Sequence, residues 1–367
     1  MRELYEEESA MPQGTTPWLG SCSAQERVVG GMDAEVIGPV MVTGVCGFIG
    51  SHVALALLRR GVTVIGVDKR PFNSTAHPVV QLRDLHHQHG LRLLTANVDA
   101  PEVVRRLAGV SAVVHLAAAT DVGASWGPGF VDHMASVLGT QRLLDACVRE
   151  GVPRMVAASS SHVYGPTRAG IGREDLPAEP TSPYGVAKLA AERLAVAYAR
   201  RPGSPLATVA LRFFTAFGPG CRPAMVVPRL FRAVLSGDTM PLYGDSAAPH
   251  TWTYVSDLVD ATLRAVTLPL DPGQAEVINA AGPEQASLRQ VADLVGDLVG
   301  RPVPWEAAGK RAGDATGTRA DLTRAKQVLG FTPQVSLKDG LVRYWQHMRS
   351  SPHSNRSGPV PGAAVRA

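Results

Sequence analysis

Aromatic residues are scarce in this chain of 367 residues, at 5%, and cysteine occurs only four times. Basic residues stand singly or in pairs, so no basic face interleaved with stacking rings is available to nucleic acid, although the formal charge is +4 and the isoelectric point is near 9.0. A phosphate-bearing small ligand accounts for that excess. Cys22, Cys46, Cys147 and Cys221 fall at no metal-ligand or disulfide spacing, which predicts free thiols in a reducing compartment and no metal site. His86, His87 and His89 lie in a polar stretch beside Gly90 and read as a solvated loop or helix end rather than as ligands. No apolar run is long enough to cross a bilayer, and the first twenty residues carry Glu3, Glu6, Glu7 and Glu8 with no apolar core of the secretory kind. No membrane partner and a cytoplasmic location are therefore expected.

Hydrophobic residues at 45% and charged ones at 19% suit a globular protein with a large core. Residues 1–36 and 350–367 mix Pro, Gly, Ser and charge without periodicity and are read as disordered tails. Between them, short apolar runs alternate with helical patterns. Pro39 to Thr43 leads into the glycine turn Gly44, Gly47 and Gly50, which carries Phe48 and Ile49 and opens a helix. Glycines at that spacing let a backbone turn tightly and approach a pyrophosphate at a helix N-terminus, where free N–H groups favour anions. A second strand, Val62 to Val67, ends at Asp68, placed to accept both hydroxyls of an adenosine ribose; this favours NAD over NADP, although Lys69 and Arg70 beside it suit a 2′-phosphate. The third strand, Leu91 to Ala96, leads to Asn97 and Val98, and the fourth, Ala112 to Leu116, to Ala117 and Ala118. Small residues there let the cofactor pass close to the backbone.

A helical pattern from Phe130 to Arg149 and a fifth strand, Arg154 to Ala158, continue the alternation, and the latter runs into Ser159, Ser160 and Ser161. Such an order predicts an α/β fold, a doubly wound parallel sheet of the Rossmann type with ligands at the carboxyl ends of its strands. The cofactor-binding domain is expected over 37–217 with a returning segment at 250–282, and a smaller mixed α/β substrate-binding lobe over 218–249 and 283–349. Tyr184 and Lys188 lie four apart, so on a helix they share a face. A phenol near an ammonium ion loses its proton more readily, which would suit Tyr184 to act as a base near neutral pH.

Gly44-Val45-Cys46-Gly47-Phe48-Ile49-Gly50, His115-Leu116-Ala117-Ala118, Ser159-Ser160-Ser161, Val163-Tyr164-Gly165 and Tyr184 to Lys188 occur in that order. Together, over residues 38 to 347, they resemble the extended short-chain dehydrogenase/reductase family, the NAD-dependent nucleotide-sugar epimerases and dehydratases. The resemblance implies that Ser160 hydrogen-bonds the reacting sugar hydroxyl, that Tyr184 exchanges its proton, and that Lys188 holds the nicotinamide ribose. Leu211 to Pro219 followed by Arg222, Pro223 and Met225 is most similar to the UDP-glucuronate 4-epimerases. Ser161 and His162 stand where related dehydratases and decarboxylases place acids. Thr215 and Arg222 suit a carboxylate, which a guanidinium grips with two parallel hydrogen bonds.

His250 stands where this family usually has Arg on the diphosphate, and Ser136 where it usually has Asn. By the same resemblance, Arg311 and Asp314 would hold the diphosphate and the nucleoside. The implied activity is NAD-dependent epimerisation at C4 of a UDP-hexuronate through a 4-keto sugar. Alternatives are a decarboxylase or dehydratase with His162 as a further acid or base, another UDP-hexose 4-epimerase, and a cofactor-sensing protein without turnover. Apolar residues on more than one face of the helices around 130–149 and 184–200 predict a homodimer built on a four-helix bundle.

Overall fold

The run Val40-Met41-Val42-Thr43 is buried residue by residue, as a strand covered on both faces must be. The computed structural model describes residues 38–72, 79, 82, 90–166, 170–309, 317 and 319–350. The expected tails, the histidines at 86, 87 and 89, Arg311 and Asp314 lie outside the described residues, save Ser350, which closes the last helix.

In chain order the elements are β1 (Val40–Thr43), α1 (Phe48–Leu58), β2 (Val64–Asp68), β3 (Leu91–Thr95), α2 (Pro101–Val104), β4 (Ala112–His115), α3 (Phe130–Arg149), β5 (Arg154–Ser160), β6 (Ile171–Gly172), α4 (Pro183–Arg200) and β7 (Ala207–Phe213). There follow β8 (Thr215–Phe217), α5 (Val226–Ser236), β9 (Met240–Tyr243), β10 (Pro249–Tyr254), α6 (Val255–Thr267), β11 (Ala275–Ala280), β12 (Glu284–Ser287), α7 (Leu288–Val299), β13 (Trp305–Ala308), β14 (Arg319–Ala320), α8 (Thr323–Leu329) and α9 (Leu337–Ser350).

Seven strands form one parallel sheet in the order β3-β2-β1-β4-β5-β7-β11. Side chains alternate along each strand, so β1 sends Val40 and Val42 into the core under α1 and α6, and Met41 into the core under α3 and α4. The sheet is thus doubly wound, as the alternating pattern predicts. Strand order reverses between β1 and β4, and the crevice at their carboxyl ends is where such sheets bind dinucleotides.

A second core, centred on Phe217, Leu230, Phe231, Trp252, Val291 and Leu341, joins α5, α7 and α9 to a small sheet of order β12-β10-β8. Strand β10 opens the segment 250–282 yet pairs with β8 and β12, and only β11 returns to the large sheet. The pairs β9-β13 and β6-β14 are short, of four and two residues. Each joins residues far apart in sequence, so local periodicity carries no trace of them. Among the described residues no helix is long and apolar enough to cross a membrane, and no cluster of His, Cys, Asp and Glu could hold a metal ion.

Candidate active site

The glycine turn is packed without tolerance. Gly44 has φ +71°, and a Cβ there would lie 2.8 Å from the Ala117 nitrogen; one at Gly50 would lie 2.2 Å from the Gly44 carbonyl oxygen. Side chains at these places would push α1 off the sheet and fill the approach to the helix N-terminus, whose first turn holds Phe48 and Ile49.

Beneath the turn runs a buried polar chain. The Thr140 hydroxyl donates to the Ser136 carbonyl at 2.8 Å, so it accepts from His115 Nε2 at 2.9 Å, and His115 Nδ1 accepts from the Thr43 hydroxyl at 2.8 Å. Thr43 Oγ1 in turn accepts from the Leu116 and Ala117 nitrogens at 3.2 and 3.3 Å. Burial, with Lys188 nearby, pushes the His115 imidazole down to about 3, so it stays neutral and fixes the end of β4. Asp68, also buried, ends β2 as expected. Its carboxylate is held by Arg70 and by the Cys46 nitrogen, while Lys69 and Asn97 are exposed and Val98 packs near Gly139 of α3.

Tyr184 is set by the start of its helix. The Ser182 hydroxyl caps α4 by accepting from the Gly185 nitrogen at 3.1 Å, and Pro183 occupies the first turn. The Tyr184 ring is thereby buried between two imidazoles, His162 at 5.4 Å and His133 at 5.8 Å between centroids, both edge to face. Ser160, the last residue of β5, hydrogen-bonds the Tyr184 side chain and accepts from the His162 nitrogen at 3.2 Å.

Burial holds the phenol above its ordinary value, and Ser160 and the Arg222 guanidinium pull it back. This corrects the expectation that Lys188 lowers it. The Lys188 ammonium instead donates to the Ala158 carbonyl at 3.0 Å, and burial alone brings it down to about 8. A shared helix face brought Tyr184 and Lys188 to one side of α4, but β5 captured the ammonium.

On the substrate side, Ser161 is buried, Thr215 pairs in β8 with Trp252, and His250 in β10 pairs with Ala286. The exposed Arg222 lies near enough to act on the Tyr184 phenol. Three features escaped sequence reasoning. His133, against Tyr184, arrives from α3, and no local signal pairs it with α4. Glu192 sits one turn beyond Lys188 on the same face, a spacing that was legible, and binds Ser159 and Arg212. Thr43 closes β1 and reaches its partner 72 residues away.

The structure thus sets a buried serine, tyrosine and lysine at the rim of a Rossmann crevice, the class of fold that binds dinucleotides. Comparison with known proteins narrows this. A model of the NAD dependent epimerase/dehydratase family matches residues 40–281. The chain is 35% identical over 317 residues to YtcB of Bacillus subtilis, an uncharacterized UDP-glucose epimerase, covering 85% of this chain and 98% of that one. Among solved structures, MoeE5 in complex with UDP-glucuronic acid and NAD is 40% identical with a TM-score of 0.77, covering 85% of this chain and 99% of that one. UDP-glucuronic acid 4-epimerase from Bacillus cereus, with UDP-glucuronic acid and NAD, is 31% identical with a TM-score of 0.78 over the same shares. The chain belongs to the NAD dependent epimerase/dehydratase family, enzymes of nucleotide sugars, and its cofactor is NAD. The residues present fit that group: the cradle at Gly44 and Gly50 leaves no room for a Cβ, and a buried carboxylate stands at the end of β2.

Proposed function

We propose that this chain is a 4-epimerase of UDP-hexuronates, interconverting UDP-glucuronate and UDP-galacturonate. The observation that carries the reading is that, among the described residues, the groups that act on or pack against the Tyr184 phenol include Ser160, two imidazoles and the Arg222 guanidinium. A cation at that edge suits an acidic sugar. A water-eliminating enzyme would need an acid and a base there, and Ser161 and His162 supply no carboxyl group. Similarity to MoeE5 and to the Bacillus cereus enzyme, both solved with UDP-glucuronic acid, supports the same choice.

In this reading the Ser160 hydroxyl hydrogen-bonds the C4 oxygen of the sugar, Tyr184 takes the proton of that hydroxyl, and Tyr184 returns a proton to the same oxygen after the 4-keto sugar has turned over. NAD, when bound, would supply the hydride acceptor and donor for C4. Lys188 holds the nicotinamide ribose, and Arg222 with Thr215 and Ser161 grips the uronate carboxylate. His250 and, outside the described residues, Arg311 and Asp314 are assigned to the nucleotide.

The protein also functions as a homodimer in this reading. Val131 is 71% exposed and Leu138 48% exposed on α3, Val186 is 48% exposed on α4, and a second copy of these two helices would cover them. The test is a panel of UDP-glucuronate, UDP-galacturonate, UDP-glucose and UDP-galactose followed by proton NMR, with Tyr184→Phe, expected to lose roughly 10² to 10⁴ in rate, as the control. UDP-glucose belongs in the panel because of YtcB. Turnover of the neutral sugars alone would overturn the acidic substrate.

A further inference from the structure

The Asp68 carboxylate accepts four hydrogen bonds, all from protein. Oδ1 accepts from the Arg70 backbone nitrogen at 3.0 Å and from Arg70 Nε at 3.2 Å. Oδ2 accepts from the Cys46 nitrogen at 3.0 Å and from Arg70 Nη2 at 3.2 Å. A carboxylate offers about four lone-pair sites, so a ribose diol that comes to Asp68 competes with donors already in place. The two backbone donors belong to the glycine turn and to the end of β2, and cannot leave without moving them. The Arg70 side chain can leave: it is 56% exposed while Asp68 is 5% exposed. It also lies over the turn, with Nη2 only 3.7 Å from where a Cβ on Gly47 would be.

We propose that Arg70 is a latch on the ribose site that sets the cofactor preference of this chain. The adenosine ribose displaces the guanidinium from Asp68. The displaced guanidinium stays tethered two residues away, on the side where a 2′-phosphate projects, and binds that phosphate with charge-assisted bonds. Arg70 therefore taxes NAD binding, because only the unlatched fraction is competent, and it softens the rejection of NADP that Asp68 alone would impose. Lys69 is exposed and is not among the donors that hold Asp68.

The experiment measures NAD and NADP dissociation constants by calorimetry on nucleotide-stripped full-length protein, without sugar, for wild type, Arg70→Gln and Arg70→Lys. AMP and adenosine 2′,5′-bisphosphate are titrated in parallel to isolate the ribose end. In Arg70→Gln the ratio of NADP to NAD dissociation constants is expected to rise about tenfold or more, with NAD bound at least as tightly as by wild type. Arg70→Lys, which keeps the charge but not the fork, is expected to fall between the two. A ratio that rises less than about threefold, or NAD binding that weakens, overturns the latch and leaves Arg70 as a pyrophosphate or structural cation. Circular dichroism confirms that each variant is folded. Because no sugar is present, this result is independent of the proposed hexuronate.

Discussion

Glu192 of α4 and Arg212 of β7 meet in a buried ion pair, with Oε1 to Nη2 at 2.7 Å and Oε2 to Nε at 2.9 Å. Ser159 donates to the same carboxylate at 2.6 Å, one residue before Ser160. Arg212 also covers the Tyr164 ring at 4.6 Å, and the Tyr164 hydroxyl donates to Asn279 of β11 at 2.7 Å. One network thus ties α4, β5, β7 and β11 together at the strand ends that carry Ser160. Removing one partner leaves a buried charge uncompensated, so Glu192→Ala is expected to cost about 3–5 kcal/mol in a urea titration, and the pair Glu192→Leu with Arg212→Met to recover most of it. A single variant as stable as wild type would show that the pair is solvated.

Lys188 makes a prediction about pH. Its folded value is about 8, below the ordinary 10.5, because burial disfavours the ammonium. Below pH 8 that cost is fully present. Between about 8 and 10.5 the unfolded chain binds a proton that the folded chain has released, so this group's contribution to stability rises with pH. Lys188→Met should therefore be more stable than wild type near pH 6.5, by roughly 1–3 kcal/mol, with a gap that narrows by pH 9.5. A gap that does not change with pH would mean that the lysine is solvated.

If the proposed hexuronate is the substrate, Arg222 would decide whether oxidation at C4 ends in epimerisation or in loss of the carboxylate. A 4-keto uronate is a β-keto acid, which releases carbon dioxide when the breaking bond can align with the ketone π system. The proposed two-point guanidinium grip, with hydroxyls from Thr215 and Ser161, would forbid that rotation. Arg222→Ala and Thr215→Val are expected to release carbon dioxide and a 4-keto pentose from UDP-glucuronate while reduced cofactor accumulates. Weaker UDP binding with no carbon dioxide, read by calorimetry and NMR, would move Arg222 to the phosphates.

The apolar surface on α3 and α4 predicts the oligomeric state. Val131→Glu and Leu138→Lys each put a charge at an exposed position of that surface. Wild type should scatter light as a dimer at micromolar concentration and the double variant as a monomer, with circular dichroism unchanged. A wild-type monomer removes the four-helix bundle from the account.

Periodicity and glycine spacing alone placed the doubly wound sheet, the cofactor turn, Asp68 at the end of β2, and Tyr184 with Lys188 on one helix face. These are local matters: a strand covered on both faces must be continuously apolar, and a turn that brushes a phosphate must lack Cβ atoms. The sheet β12-β10-β8 and the imidazole of His133 against Tyr184 left no such trace, because each joins segments tens of residues apart through contacts that place no pattern on either segment. The ionisation of Tyr184 and Lys188 was decided the same way. Sequence spacing put an ammonium one helical turn from a phenol, yet only the packed structure shows the ammonium bound to the Ala158 carbonyl and the phenol governed by burial, Ser160 and Arg222. Desolvation and hydrogen bonding depend on everything that surrounds a group, and that environment exists only once β5, β7 and α3 have closed around α4.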